Sequence, residues 1–325
     1  MMDYSIFNDV KLDSELNKNG FVYSGRLDST LVDRLLNIDH ELNIPDSVGC
    51  DFNVGMNTEE HSLRSRMQHT LFEILKPYFE KVLPEYEFFS ATLINKAPTR
   101  KFLITAHQDF TYTDEPQEPS FMCWIPLVDA DTDNGVIGFI PKSHLFFDYK
   151  RAFPFPFDIS PVVNNEYELM KYLKFSPMKA GEIVYFFNKT IHGSFANYTH
   201  ETRYALNISF IKKNSKGFVY IRNPKNKYEF FKYSADKNFL IKYNNSKIQE
   251  MYNDGNIEIS GYELLSVEPF GDHDISWKSV KERLDMFDTK AQDLNVGLLS
   301  RFEKEAKKRK LVDYFYNAFK KITAS

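Results

Sequence analysis

Apolar positions in this chain recur first at a helical interval and then at every second residue, and the change comes near residue 86. Within 28–42, Leu31, Leu35, Ile38 and Leu42 fall one turn apart behind Asp28, whose carboxylate can accept from the free amides of a first turn. A second helix is predicted over 62–82, where Met67, Leu71, Ile74, Leu75 and Phe79 form a stripe suited to packing on a sheet. Residues 86–97 read as a strand entering a barrel, and from there to Lys212 short strands alternate with turns, the pattern of a jelly roll. In 203–210 the alternation is strict: Arg203, Ala205, Asn207 and Ser209 share one face, suited to a polar pocket, and Tyr204, Leu206, Ile208 and Phe210 share the other, suited to a core.

The tail alternates too. Runs at 218–221, 228–233, 239–243 and 262–267 predict further strands or hairpins, and after Trp277 the spacing turns helical, through 279–287 and 298–322, with Phe302, Ala306, Val312, Phe315 and Phe319 on one buried face. The expected architecture is mainly β with flanking helices: a double-stranded β-helix (jelly roll, cupin-like) core with N-terminal helices and a C-terminal strand-plus-helix extension. Residues 1–212 would form one domain, with helices in 28–82 and the core in 86–212, and residues 213–325 would pack on it.

A chain of 325 residues exceeds a minimal barrel, so additions around the core are expected. Its hydrophobic share of 42% with 26% charged residues sets aside disordered and fibrous classes. A net charge of -4 gives no general pull toward nucleic acid or an anionic membrane, and acidic residues interspersed among the Lys and aromatic residues of the tail favour a solvated face there. Cys50 and Cys123 have neither metal nor redox spacing and read as small buried thiols. The opening residues lack a basic segment followed by an apolar run, and no stretch reaches the length of a membrane span, so a reducing cytoplasm is the expected compartment.

Three short pieces carry candidate chemistry: His107-Gln108-Asp109, His192-Gly193-Ser194, and Arg203 shortly after. Side chains two apart on a strand point to one side of a sheet, so His107 and Asp109 can reach one metal while Gln108 points away. Two imidazoles and a carboxylate can hold Fe(II) on one face and leave the other open. A guanidinium and a hydroxyl nearby, Arg203 and Ser194, could grip a carboxylate. With 8 His and 45 acidic residues, about one His-X-Asp/Glu arises by chance, so the motif gains its meaning from context.

That context resembles the phytanoyl-CoA dioxygenase family of Fe(II)- and 2-oxoglutarate-dependent oxygenases. After His107-Gln108-Asp109 come a strand bearing Trp124, an acidic turn ending in Asn134-Gly135, then Ile140-Pro141-Lys142-Ser143-His144, Gly181-Glu182 before a hydrophobic strand, His192-Gly193-Ser194 and Arg203, in the family's order. Residues 19–28 are similar to its opening strand and helix cap. The likeness spans 15–212 and is tightest over 105–210. Two departures are Ala106, where an aromatic residue is common, and Lys142, where glycine is usual.

The resemblance implies Fe(II) held by His107, Asp109 and His192, 2-oxoglutarate anchored by Arg203 with Ser194, Trp124 beside it, and O2 as the second co-substrate. It implies hydroxylation of an unactivated C–H bond; desaturation and cyclisation use the same cofactors, while halogenation is disfavoured because related halogenases lack the acidic ligand that Asp109 supplies. The substrate would be a small molecule, an amino acid, peptide or biosynthetic intermediate, free or bound to a carrier protein, with no role for nucleic acid or membrane. Phe110, Tyr112 and Arg100 are candidate substrate contacts, and Arg64, Arg66 and Lys96 are further cations that could take an acidic group on it. The loop 110–120, with two prolines, should shape the site mouth, and the aromatic insertion 145–172 is either a lid or a loop packed outside the barrel. A rival of another class is a non-redox metal-binding jelly roll, which would have no need of Arg203. His144 is expected to organise its turn structurally.

Overall fold

In a computed structural model, which describes residues 3–42, 52–100, 102–153, 162–226, 228–270 and 275–292, helix α1 (Val10–Asn19) opens the fold. The carboxylate of Asp9 accepts from the amide of Lys11 at its start, and Gly20 closes it at φ 85, the left-handed conformation that glycine adopts freely. This helix was not expected from the sequence. Strand β1 (Phe21–Arg26) leads to α2 (Ser29–Leu42), where the predicted cap is present: Asp28 accepts from the amide of Leu31 at 2.9 Å. After β2 (Phe52–Val54), α3 (His61–Val82) buries the predicted stripe of Met67, Leu71, Ile74, Leu75 and Phe79.

Next come β3 (Tyr86–Lys96), β4 (Ile104–His107), β5 (Phe121–Pro126), β6 (Gly138–Phe139), a short helix α4 (Glu166–Leu169), β7 (Lys174–Phe175), β8 (Glu182–Phe187), β9 (His192–Ser194) and β10 (Arg203–Lys212). They form a six-stranded sheet of order β1-β8-β5-β10-β3-β2 facing a four-stranded sheet of order β4-β9-β6-β7, antiparallel throughout. With β1 and β2 already on the edges of the larger sheet, the chain runs through β3 there, crosses to the smaller at β4, returns at β5, crosses for β6 and β7, returns at β8, crosses at β9 and comes back to the larger at β10. That repeated crossing is a double-stranded β-helix.

Alternation along each strand divides the core in two. On the outer face of the larger sheet, Ala91, Leu93, Leu206, Ile208 and Phe210 pack with Leu71, Leu75 and Phe79 of α3. Each such large apolar side chain contributes roughly 1.5–3 kcal/mol by leaving water. On the inner face, Met122, Trp124, Val184, Phe186 and Ala205 meet Val136, Ile137 and Phe139 between the sheets.

Beyond the barrel, β11 (Gly217–Arg222), β12 (Glu229–Ala235), α5 (Phe239–Lys242), α6 (Asn245–Asn253), β13 (Leu264–Pro269) and α7 (Trp277–Met286) follow, with β11-β12-β13 forming a third antiparallel sheet. The strand expected at 239–243 is the helical turn α5. Its aromatic residues pair at helical rather than strand spacing: the amide of Tyr243 donates to Phe239 O at 2.9 Å and their rings lie 5.5 Å apart. Helix α6, capped by Asn244 Oδ1 accepting from the Lys247 amide at 3.0 Å, was also not expected. The expected helix at 298–322 and Cys50 lie outside the described residues, while Cys123 is buried. No helix among the described residues is long and apolar enough to cross a membrane.

Candidate metal centre

The last residue of β4 and the first of β9 are paired, His107 opposite His192, which brings their rings to 4.3 Å between centroids. Asp109 lies just past the end of β4. Its Oδ2 stands 3.3 Å from His192 Nε2 and its Oδ1 3.9 Å from His107 Nε2, and one ligand atom from each of the three falls within 4.8 Å of the others. His107 Nδ1 is 2.8 Å from Thr105 O and His192 Nδ1 is 2.8 Å from Thr190 O. A carbonyl can only accept, so each Nδ1 carries a proton and donates it, and each Nε2 offers a lone pair toward the cluster.

Burial first, and then the neighbouring His192, pull the His107 imidazole down to about 4, so it is neutral and available as a ligand at neutral pH. Burial pushes the Asp109 carboxyl up, but His192, His107 and Arg151 outweigh it and hold it below the ordinary value. The side chain of His192 is 6% exposed, against 32% for His107 and 21% for Asp109. The cluster is therefore closed behind and open on the His107 and Asp109 side. Gln108 points away as expected, its amide donating to Lys189 O at 2.5 Å.

Deeper in the barrel, Arg203 of β10 lies opposite Lys96 of β3, and directly paired residues share a sheet face. Arg203 is buried, its Nε and Nη1 have no hydrogen-bond partner among the described residues, and its Cζ sits 5.3 Å from the Trp124 ring centroid. Burial lowers its guanidinium to about 9, still cationic at neutral pH. Lys96 is fully buried and donates to Ser194 Oγ at 2.6 Å and Phe195 O at 2.7 Å. Burial and the charge of Arg203 push its ammonium well below the usual value. Among the described residues no carboxylate pairs with either cation.

Lys96, one of the cations the sequence offered for an acidic group on the substrate, thus stands with Arg203 and Ser194 inside the barrel. The other candidates separate. Tyr112 is a correction: it is fully buried, stacked at 4.5 Å on Phe89, and its hydroxyl donates toward Phe121 O (2.5 Å) and Phe210 O (2.8 Å), so a packed strand end claims it rather than substrate. Phe110 is half-buried and meets Phe153 edge-on at 5.3 Å. Arg64 is buried with its guanidinium on the carbonyls of Thr58, Glu59 and Ile241, a structural assignment, whereas Arg66 and Arg100 are exposed. His144 is buried with Nε2 2.9 Å from Asn17 O.

The described parts of the 145–172 insertion are packed against their surroundings, with Phe146 stacked on Phe287 and Phe153 edge-on to Phe239. Within it, Arg151 was missed by the sequence reading. It donates from Nε to Asp109 O at 2.6 Å across 42 positions of chain, and no local motif marks it.

Residues 45–205 match the model of the family described as phytanoyl-CoA dioxygenase (PhyH). Among solved structures, the chain is similar to the epimerase SnoN in complex with Fe3+, alpha ketoglutarate and nogalamycin RO (18% identity, 64% of this chain and 84% of that one, TM-score 0.45). It is similar also to the alpha ketoglutarate dependent carbocyclase SnoK from nogalamycin biosynthesis (18%, 65% and 86%, TM-score 0.44). A third is HygX from Streptomyces hygroscopicus with nickel and 2-oxoglutarate bound (12%, 63% and 88%, TM-score 0.45). No curated protein matches the chain.

Proposed function

The chain is a phytanoyl-CoA dioxygenase-like member of the Fe(II)/2-oxoglutarate oxygenases, matched over residues 45–205, and we propose that it hydroxylates an unactivated C–H bond of a small molecule. The observation that carries the reading is Arg203: a buried guanidinium with unpartnered donors, beside a second buried cation, in the same barrel as an open His-Asp-His cluster. Unpaired buried charge is costly, so such a pocket is built for an anion that arrives later.

The donor set fits the group. Two Nε2 lone pairs and the Asp109 carboxylate, whose Oδ2 has no hydrogen-bond donor among the described residues, suit Fe(II) and would leave its remaining positions open. When bound, iron would supply the centre at which dioxygen, the oxidant, is activated, two of its four electrons coming from 2-oxoglutarate, which leaves as succinate and carbon dioxide, and two from the substrate C–H bond. Arg203 would pair the distal carboxylate of 2-oxoglutarate by its free donors. Lys96 has a third N–H beyond those given to Ser194 and Phe195, and would turn toward the same carboxylate. Trp124 would wall this end against water. His107 and Asp109 face the opening, so substrate would approach from their side, and the chain's task is to choose which C–H comes within reach. No protein acid or base is needed for that step.

Asp109 completes the facial set and argues against halogenation. We take the oxygenase unit as residues 1–212 and 213–325 as an extension packed on it, and the substrate as an amino acid, peptide or biosynthetic intermediate, free or carrier-bound. The test is anaerobic addition of Fe(II) and then 2-oxoglutarate to the purified protein, watching the visible charge-transfer band of the chelate. A band that weakens in Arg203→Ala and vanishes in His107→Ala supports the site; tight iron binding without a band overturns it. A substrate screen by succinate release then separates hydroxylation from desaturation and cyclisation by product mass.

A further inference from the structure

Glu115 and Arg151 form a buried ion pair, Oε1 to Nη2 at 2.5 Å, with side chains 7% and 2% exposed. The same guanidinium donates from Nε to Asp109 O at 2.6 Å and from Nη1 to Tyr149 O at 3.1 Å. The two chain segments also bond directly, the Thr111 amide donating to Arg151 O at 3.0 Å. A buried ion pair adds little stability over an apolar pair of equal volume, so its value lies in what it specifies.

What it specifies is the backbone of one ligand. Asp109 lies beyond the end of β4, where ladder bonds no longer hold the chain. Its amide donates instead to Asn188 O at 2.8 Å, and its carbonyl accepts from Arg151. Arg151 therefore stands in for a missing strand neighbour. Glu115, from the loop after the ligand, fixes the direction of its fork.

We infer that Arg151, held by Glu115, is a positioning residue for Asp109 and makes the metal-binding carboxylate and the 110–120 loop one cooperative unit; this rests on Asp109 being a metal ligand. By reciprocity, a metal that fastens Asp109 must also order the loop, and loosening the loop must weaken the metal.

The probe is Mn(II), titrated into wild type, Arg151→Met, Arg151→Lys and Glu115→Gln with free ion read by EPR, and deuterium exchange of the 111–118 amides followed with and without metal. Arg151→Met should weaken Mn(II) about tenfold, within the 10–100-fold range usual for groups that orient ligands. Arg151→Lys should recover part of the loss, since one ammonium cannot reach both Asp109 O and Glu115 in the same planar fork. Metal should slow loop exchange in wild type and not in Glu115→Gln. A merely structural pair would lower apo and metal-loaded melting temperatures equally and leave Mn(II) affinity and exchange unchanged, which overturns the inference. If Arg151→Met does not fold, the near-isosteric Glu115→Gln decides alone. A wild type that binds no metal would instead overturn the site reading and take this inference with it.

Discussion

Lys96 and Arg203 face each other across the β3–β10 ladder, both buried, and no carboxylate among the described residues pairs with either. Each group disfavours the charged form of the other, and an anion between them would relieve that cost. Lys96→Met should therefore raise the melting temperature of the ligand-free protein while weakening 2-oxoglutarate. A lower melting temperature would mean that the bonds to Ser194 and Phe195 matter more than the repulsion. Differential scanning fluorimetry, with and without Mn(II) plus 2-oxoglutarate, separates the two.

Arg203→Ala should raise the KM for 2-oxoglutarate roughly 10–100-fold, the equivalent of losing one or two charge-assisted hydrogen bonds. Metal affinity should stay near wild type, because Arg203 touches none of the three ligands. A matched fall in Mn(II) affinity would tell against an anchoring role.

His144 is buried, and burial lowers its imidazole to about 4 from an ordinary 6.5. The unfolded chain takes up a proton in that window and the folded one refuses it, so stability is full above pH 6.5 and falls as the pH drops toward 4. The contribution at stake is on the order of 3 kcal/mol. Urea unfolding of chelator-treated protein from pH 7 to 4 should show a shallower loss for His144→Gln than for wild type. His107 titrates in the same window and will keep the variant's slope above zero.

Phe79 lies under the outer face of the larger sheet, its ring 5.0 Å from Phe210 and 5.8 Å from Phe88. Phe79→Ala should cost about 3–5 kcal/mol by urea unfolding and leave the charge-transfer band in place. Loss of the band in a folded variant would show that the helical layer and the metal centre are not separable.

Lys142 adopts φ 64, a left-handed backbone that costs a side chain about 1–2 kcal/mol, part of which glycine recovers. Lys142→Gly should stabilise the protein by about 0.5–1 kcal/mol in the same unfolding assay. No change would mean that the lysine side chain offsets the strain.

The parts of this fold that were legible are those where a short stretch states its own geometry. The alternation from Arg203 to Phe210 told which residues face the barrel, and the spacing of His107 and Asp109 told that the two side chains share a side, although β4 ends at His107 and Asp109 lies beyond the strand that was expected to carry both. That Lys96 stands beside Arg203 was not legible, because its direction depends on register with a strand far along the chain, which no local pattern carries. Tyr112 was misread because its hydroxyl is satisfied by two carbonyls from elsewhere in the chain. The 239–243 run was ambiguous because aromatic residues at its two ends suit a strand or a single helical turn. Arg151 could not be found, since its partners are a backbone carbonyl and a loop carboxylate that only folding brings together.

The carbonyls of Thr105 and Thr190, each two residues upstream of the histidine it holds, belong to the main chain. Every amino acid has the same carbonyl, so the imidazole's partner does not depend on which side chain stands at either position. The metal-facing nitrogens are thereby insulated from sequence drift around them. A barrel wired in this manner can trade loops, and with them its choice of substrate, across evolutionary time without retuning the centre that reacts.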